Sequence, residues 1–232
     1  MQSKMSFNNS QTAQQIRDNN IETLGQCLGE LYTELWQDLT RLHLKNEEYL
    51  ALFSADPARF ELLNRSAPRF FRLIQSSLWN DILLGITRIS DKPSTSGNAN
   101  LTVHRLPELN LHTDIADDLN LLLIQVNRAT EFARDWRNRH IAHRDLTLAL
   151  QDQHAEPLAK ASLIQVSEAL SALAKVLNCI SQRYQRSMTV FELGFGLSPY
   201  GAKSMLFYLK EGLEAAAKKK EMKRFGAKNI AP

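Results

Sequence analysis

The spacing of apolar residues along the chain is typical of amphipathic α-helices. Between residues 12 and 53, one helical face is outlined by apolar residues at steps of three, four or eight, namely Ile16, Leu24, Leu28, Leu31, Leu35, Leu39 and Leu42. The pattern predicts one long helix or a pair of helices. Gly25 and Gly29 lie one turn apart within it, where they would allow a local bend or a close approach of two helices.

Prolines and polar clusters divide the remaining chain into further helices. Asp56-Pro57 and Pro68 each predict a helix start, because proline suits the first helical position. The helix from Pro68 to about Ser90 is apolar on most sides, which is typical of the centre of a bundle. Residues 92–100 are rich in Ser, Gly and Asn and predict a loop within the domain.

The second half of the chain repeats this helical pattern. Thr113 is predicted to cap a helix that continues through Ala133 into a charged stretch, and Pro157 restarts the chain. An apolar stripe follows from residue 163 to residue 180, residues 191–199 form a break, and a last helix covers roughly residues 199–223. With only 9 glycines and 7 prolines, and no alternating strand pattern, the chain is predicted to be all-α. We expect one bundle-like domain over residues 1–232.

Cysteine use and hydropathy favour a cytoplasmic protein. Cys27 and Cys179 are far apart and form no CxxC pair, so a disulfide framework or a zinc module is not expected and a reducing compartment fits. The first ten residues contain no apolar core of a secretory signal. No run of about 18 apolar residues occurs, which argues against a membrane span.

The net charge of +3 is concentrated at the end of the chain. Residues 218–228 contain six lysines or arginines and one glutamate. A basic terminus of this kind can contact nucleic acid, although such a segment is more often a solvated helix end. The overall basic character therefore describes the tail more than the surface of the fold.

The densest chemistry lies in residues 134–145, where twelve positions hold four arginines, two histidines, two aspartates and an asparagine. His143-Arg144-Asp145 matches the start of the protein-kinase catalytic loop, but Leu150 stands where an asparagine is needed and no glycine-rich loop exists. His140 and His143 are near enough to share a metal. However, Ile141 replaces the glutamate of the HExxH pattern, so a metal site is not expected.

An Arg and His cluster without its own nucleophile suits cleavage of RNA, because the ribose 2′-hydroxyl of the substrate serves as the nucleophile. Histidine can accept or donate a proton near pH 7, and arginine offers a planar donor fork to phosphate oxygens. The other interpretation is an ordinary helix end, where cations near the last carbonyls are favourable without any catalytic role.

The segment Arg137–Asp145, which reads RNRHIAHRD, resembles the signature of HEPN-domain proteins. It is most similar to the abortive-infection (AbiU-type) branch, in which an Arg-polar-x4-His motif continues to an aspartate. Asn80–Asp91 and Ser167–Leu170 also resemble that branch. The resemblance covers a core of about residues 20–185, which leaves residues 186–232 as a C-terminal helix and basic tail.

The resemblance implies an all-α HEPN-like helical bundle, here with extra N- and C-terminal helices, that forms a homodimer with two motifs in a shared cleft. Many members are endoribonucleases that need no metal and leave 2′,3′-cyclic phosphate ends. We therefore expect RNA as the substrate, no cofactor, and a role as a toxin or phage-defence effector, with an antitoxin or defence-system protein as a further expected partner.

The resemblance also implies roles for single residues. Arg137 would bind the phosphate, His143 would act as acid or base, and Asn138 would orient the site. Supporting or RNA-binding roles fall to Arg134, Arg139, His140, Arg144 and Asp145, with Asp145 a candidate to hold the His143 tautomer and Arg139 a candidate to contact the RNA backbone. An alternative register pairs Arg134 with His140 at the same spacing.

Helix geometry restricts how Arg137 and His143 can meet. Residues six apart are about 240° apart around an ideal α-helix, so the two side chains cannot share one face, whereas Asp135, Arg139 and His143 would stack on one side. Either the helix bends within the motif or the site combines residues of two subunits.

Two other functions remain open from the sequence. The first is a catalytically silent HEPN-like module that serves as a dimeric binding or scaffold protein or as an antitoxin-type partner. The second is a helical interaction protein unrelated to HEPN domains. Intact Arg137, Asn138 and His143 favour the nuclease.

Overall fold

The computed structural model of the chain describes residues 12–109, 111, 113–191 and 201–228, without the side chains of residues 113–114 and 224–228. Several expectations lie outside this part of the chain. They concern the first ten residues, the capping side chain of Thr113, residues 192–199 of the expected break and the basic side chains from residue 224 onward.

The protein is 77% helical with a small two-stranded sheet, which confirms the prediction of an all-α fold. The α-helices are α1 Ala13–Leu24, α2 Gln26–Phe53, α3 Pro57–Ser66, α4 Pro68–Ile89, α5 Thr113–Ala129, α6 Glu131–Trp136, α7 Leu146–Ala149, α8 Leu163–Gln185 and α9 Ala202–Lys228. A 3-10 helix covers Val103–Glu108, and a π-helical turn covers Arg137–Ile141.

The N-terminal pattern forms a helix pair, and the two predicted glycines explain its geometry. Gly25 adopts φ 81°, a left-handed value that ends α1 and that other residues adopt only with strain. At Gly29 a Cβ atom would lie 2.6 Å from the carbonyl oxygen of Asn20. Only glycine therefore permits α2 to approach the backbone of α1 so closely.

Helix starts agree with the sequence in α3, α4 and α8 but differ elsewhere. The side chain of Asp56 caps α3 by accepting a hydrogen bond from the amide of Ala58 at 3.0 Å, with Pro57 at the first position. The continuous helix expected from Thr113 through Ala133 was wrong, because Thr130 separates α5 from α6 with φ −106° and ψ 0°. Helix α8 begins after a Ser162 cap, at the first residue of the predicted apolar stripe, and α9 covers Ala202–Lys228 rather than roughly residues 199–223.

The predicted loop at residues 92–100 contains a short β-hairpin, formed by β1 Ser94–Thr95 and β2 Asn98–Ala99. Ser96 and Gly97 have φ values of 50° and 83°, as a tight hairpin turn with two left-handed residues requires. The side-chain amide of Asn100 donates to the Lys92 carbonyl and to the Thr95 hydroxyl, both at 2.8 Å. These bonds fix the loop that follows α4.

The packing of the chain divides into two compact units. The first contains the part of Met1–Arg41 that is described and Leu83–Thr189, and the second contains Leu42–Ile82 and the described part of Val190–Pro232. In the first unit α5 packs against α8 around fully buried side chains such as Leu119 and Leu173. In the second unit α3 packs against α9. The expectation of one domain stays a prediction.

Among the described helices, α8 alone is long and apolar enough to cross a membrane by length and composition. Of its most apolar 18 residues, 44% are buried inside the protein, and the core helices of soluble proteins meet the same criterion. The fully buried Leu170, Leu177 and Ile180 place α8 in the core of its unit.

Candidate active site

The helix that carries the motif changes its hydrogen-bond pattern at Arg137. Helix α6 ends at Trp136, and the following turn is π-helical, closed by the amide of Ala142, which donates to the carbonyl of Arg137 at 2.8 Å. Such turns are rare and occur often at functional sites. The turn ends at Ile141, so the helix changes within the motif, which was one of the two expected alternatives, and His143 does not continue the helical stack of Asp135 and Arg139. Geometry alone no longer requires two subunits to bring Arg137 and His143 together.

Arg137 forms an ion pair with Asp91, which follows the end of α4. Its Nη2 nitrogen donates to both carboxylate oxygens of Asp91 at 2.8 Å. The side chains are partly buried, at 29% and 25% exposure, so water screens the pair less than it screens an exposed pair. Within the described chain, Nε and Nη1 of Arg137 have no hydrogen-bond partner. Part of the guanidinium is therefore open to a ligand.

Arg134 lies beside this pair. Its Nη1 donates to the hydroxyl of Thr130 at 2.7 Å, and its Nη2 donates to the carbonyl of Asn127. Burial lowers the pKa of Arg134, Glu131 and Asp91 raise it, and the charge of Arg137 lowers it further. Arg134, Arg137 and Asp91 thus form one electrostatically connected group, which we call the arginine–aspartate cluster.

His104, in the 3-10 helix, borders the arginine–aspartate cluster and was not expected from the sequence. Burial lowers the pKa of its imidazole, and so does the charge of Arg134, whereas a hydrogen bond to the side chain of Asn127 and the charge of Asp91 raise it. Sequence reasoning also gave no role to Asp91, although Asp91 ends the stretch Asn80–Asp91 that resembles the AbiU-type branch. For His104 the sequence contains no comparable signal.

Arg139 holds the segment that follows the motif. Its Nη1 lies 3.3 Å from Oδ1 of Asp135 and 3.4 Å from the carbonyl of Pro157, its Nε lies 3.5 Å from Oδ2 of Asp145, and its Nη2 donates to the carbonyl of Glu156. These contacts join the motif helix to residues 145–157. The same Arg139 donors would be needed to bind an RNA backbone. The expected RNA-binding role of Arg139 therefore stays a prediction.

Asp145 caps α7. Its Oδ1 accepts hydrogen bonds from the hydroxyl of Thr147 at 2.6 Å and from the amide of Leu148 at 3.1 Å. These bonds, and then the one from Arg139, lower the pKa of Asp145 against the opposing effect of partial burial. None of the hydrogen bonds of Asp145 within the described chain reaches His143, so its expected role as a partner of the imidazole finds no contact here.

The indole of Trp136 anchors the other side of the motif. Its Nε1 donates to the carbonyl of Ala159 at 2.8 Å. The amide of Ala159 in turn donates to Oδ2 of Asp135 at 2.7 Å. The ring of His140 packs edge-on against Trp136, with centroids 5.3 Å apart. His140 and Arg134, the pair of the alternative register, therefore both contact neighbouring protein groups.

Asn138, His143 and Arg144 are exposed. Among the described residues, none forms a hydrogen bond or an ion pair with these three side chains. The protein thus presents an anchored arginine within a charged cluster and an exposed histidine that follows the π-helical turn. No hydrogen bond or ion pair between described residues joins the side chains of Arg137 and His143.

The chemistry of the site is that of guanidinium, carboxylate and imidazole groups. In the described part of the chain, no group of three or more His, Cys, Asp or Glu side chains is arranged to hold a metal ion. Arginine forks bind phosphate oxygens, and imidazoles transfer protons near neutral pH, so the arrangement suits a phosphodiester ligand.

The all-α fold and the Arg-polar-x4-His motif are those of a HEPN domain. Comparison with protein families gives a match to the HEPN family AbiU2 over residues 25–204, which is well over half of the chain and includes Asp91, Arg137 and His143. The chain therefore belongs to the AbiU2 family of HEPN domains. Comparison with curated proteins and with solved structures gave no match. The family indicates an abortive-infection-related function of HEPN type.

Proposed function

We propose that this protein is a metal-independent endoribonuclease of HEPN type that acts as a toxin or phage-defence effector in the cytoplasm. Membership of the AbiU2 family, together with an intact Arg137-Asn138-x4-His143 motif, is the observation that carries the proposal. The partly open guanidinium of Arg137 supports it, because a phosphate group needs free donors at that position.

In the proposed reaction, Arg137 binds the scissile phosphate and Arg134 adds a second positive charge nearby. His143 acts as acid or base. A base removes the proton of the ribose 2′-hydroxyl, O2′ attacks phosphorus, the bond from phosphorus to O5′ breaks, and an acid protonates O5′. The products are a 2′,3′-cyclic phosphate and a 5′-hydroxyl. Acid–base help of this kind typically gives about 10²–10⁴-fold in rate.

We further propose a homodimer whose two motifs face one cleft, so that each site takes Arg137 from one subunit and His143 from the other. The exposed position of His143 allows it to reach across an interface. Mixing Arg137→Ala subunits with His143→Ala subunits tests this arrangement. Randomly exchanged dimers would regain about a quarter of wild-type cleavage, because half of the dimers would hold one intact site. No recovery after confirmed subunit exchange would contradict shared sites.

A growth assay tests the toxin role. Overproduction of the wild-type protein is expected to arrest growth, and His143→Ala and Arg137→Ala are expected to relieve the arrest at equal protein levels. His154→Ala is the matched control, because His154 is an exposed histidine outside the motif. Arrest that persists unchanged in His143→Ala would argue against nuclease toxicity. A co-expressed partner that relieves wild-type arrest would identify an antitoxin.

A second candidate function is a non-catalytic HEPN-like binding module, such as a scaffold or an antitoxin-type partner. One observation favours it: within the described chain, no hydrogen bond orients the His143 ring, whereas an acid–base histidine is usually oriented by a second group. A protein that binds RNA through Arg137, but that neither cleaves it nor depends on His143, would support this alternative.

A further inference from the structure

We propose that Asp91 is a positioning residue for Arg137: its carboxylate holds the guanidinium through Nη2 and leaves the other N–H donors available to the scissile phosphate. This inference rests on the proposed function and deepens it, because it assigns a role to a residue 46 positions before the motif arginine. Asp91 would contact neither the phosphate nor the reacting atoms.

The form of the ion pair carries the proposal. Asp91 contacts a single nitrogen of Arg137, since both carboxylate oxygens accept from Nη2 at 2.8 Å. An arginine has five N–H donors in a fixed fork, and in this geometry the hydrogens on Nε and Nη1 have no partner within the described chain. Because Nε–H and the N–H groups of Nη1 point in different directions, a phosphate oxygen can accept from one of these nitrogens without displacing the carboxylate.

Asp91 is itself fixed by buried groups. Thr102 is fully buried. Its hydroxyl is the donor to two backbone carbonyls, that of Asp91 at 2.6 Å and that of Ile89 at 2.9 Å. The hydroxyl also accepts from the amide of His104 at 3.3 Å. The end of α4 is thereby attached to the 3-10 helix, so the carboxylate of Asp91 approaches Arg137 from a rigid support.

Charge balance gives Asp91 a second effect on the same residue. The arginine–aspartate cluster contains two arginines whose like charges oppose each other, and Asp91 offsets that repulsion. Without the carboxylate, Arg137 would lose its anchor and face the charge of Arg134, and its long side chain would move toward water. A phosphate would then have to order a mobile arginine before binding to it, which weakens binding.

The test is a double-mutant cycle read by binding rather than by cleavage. The probe is a labelled single-stranded RNA with methylated 2′-hydroxyls, which can bind but lacks the nucleophile. We expect Asp91→Ala and Arg137→Ala each to weaken binding by about tenfold, and the double variant to bind no more weakly than Arg137→Ala. Asp91→Asn, which keeps an acceptor oxygen, is expected to weaken binding less. Glu108→Gln is the matched control, since it removes the charge of an exposed carboxylate paired with Arg105 at 3.6 Å.

Two outcomes overturn the proposal. One is a full additional loss when Asp91→Ala is combined with Arg137→Ala, which indicates a merely structural role. The other is tighter binding by Asp91→Ala, which indicates that the carboxylate competes with phosphate.

A second measurement does not depend on Asp91→Ala, which could impair folding. The side-chain Nε–H resonance of Arg137 is followed by NMR in the wild type and in Asp91→Asn. It is expected to be resolved in the wild type and broadened in the variant, and an unchanged resonance would contradict positioning. This readout is independent of cleavage, so failure of the nuclease proposal would be distinguished from failure of this inference.

Discussion

At the residue scale, Arg139 illustrates how part of the motif serves the fold around the site. It contacts two carboxylates and two backbone carbonyls across residues 135–157. We predict that Arg139→Ala speeds amide hydrogen exchange in residues 145–157, because that segment loses its attachment to the motif helix. The measurement is hydrogen exchange followed by mass spectrometry.

Arg144→Ala is the control for this prediction, since Arg144 is exposed and bonds to none of the described residues. Equal exchange in Arg139→Ala and in wild type would show that the segment is held by other contacts. Arg139→Lys is not expected to restore slow exchange, because an ammonium group cannot reach several acceptors in the fixed fork geometry of arginine.

The sequence could indicate Arg137 and His143 because their spacing is a local property of one segment. It could not indicate that Arg137 pairs with Asp91 or that His104 borders Arg134, because tertiary packing brings Asp91 and His104 to the motif from 30 or more positions away. The sequence also could not show which of the other polar residues in the motif segment contact a ligand and which hold the surrounding structure in place. Asp145 and Arg139 were candidates for supporting roles, and only their contacts show that both also hold the segment after the motif.

At the scale of elements, the close approach of α1 and α2 depends on Gly29. We predict that Gly29→Ala lowers the free energy of unfolding by about 1–3 kcal/mol, because the new Cβ would lie 2.6 Å from backbone atoms that cannot yield without moving α1. The measurement is denaturant unfolding. Gly212→Ala in α9 is the matched control, since no described atom beyond its neighbours and the adjacent helix backbone lies within 4 Å of the added Cβ, and it is expected to stabilise by up to about 1 kcal/mol. Equal effects of the two substitutions would contradict a close approach.

Most helices could be predicted from apolar periodicity, but the two irregularities near the motif could not. The apolar positions Val126, Ala129, Phe132 and Ala133 continue in helical step across the break at Thr130, so their pattern does not reveal it. At the break, the hydroxyl of Thr130 donates to the carbonyl of Val126 and accepts from Arg134, contacts that apolar periodicity does not predict. The π-helical turn likewise differs from an α-helix only in its backbone hydrogen bonds, and no residue type in Arg137–Ile141 marks it in the sequence.

At the scale of the whole molecule, a buried histidine makes stability depend on pH. His43 is 4% exposed and packs on Phe191, and its Nε2 has no hydrogen-bond partner within the described chain. Burial lowers its pKa from 6.5 to about 4. Between these values the unfolded chain binds a proton that the folded protein does not bind. Stability is therefore unaffected above pH 6.5 and falls as pH decreases toward 4, by up to about 3 kcal/mol.

Comparison with His43→Phe tests this pH dependence. We predict that the variant loses the part of the decrease due to His43, as measured by denaturant unfolding between pH 7 and pH 4. Wild type must be measured beside it, because the pKa of Glu47 is raised by burial and by Glu48, which acts in the opposite direction. Parallel stability curves for the two proteins would exclude a contribution of His43.

The nuclease activity of the whole protein is tested most directly by an RNA cleavage assay in excess EDTA, with wild type beside Arg137→Ala and His143→Ala. We predict cleavage by wild type that persists in EDTA, products with 2′,3′-cyclic phosphate ends, and a loss of about hundredfold or more in each variant. Arg65→Ala and His154→Ala, at exposed positions outside the motif, should cleave as wild type does. Cleavage abolished by EDTA, or cleavage that survives unchanged in both motif variants, would contradict the account.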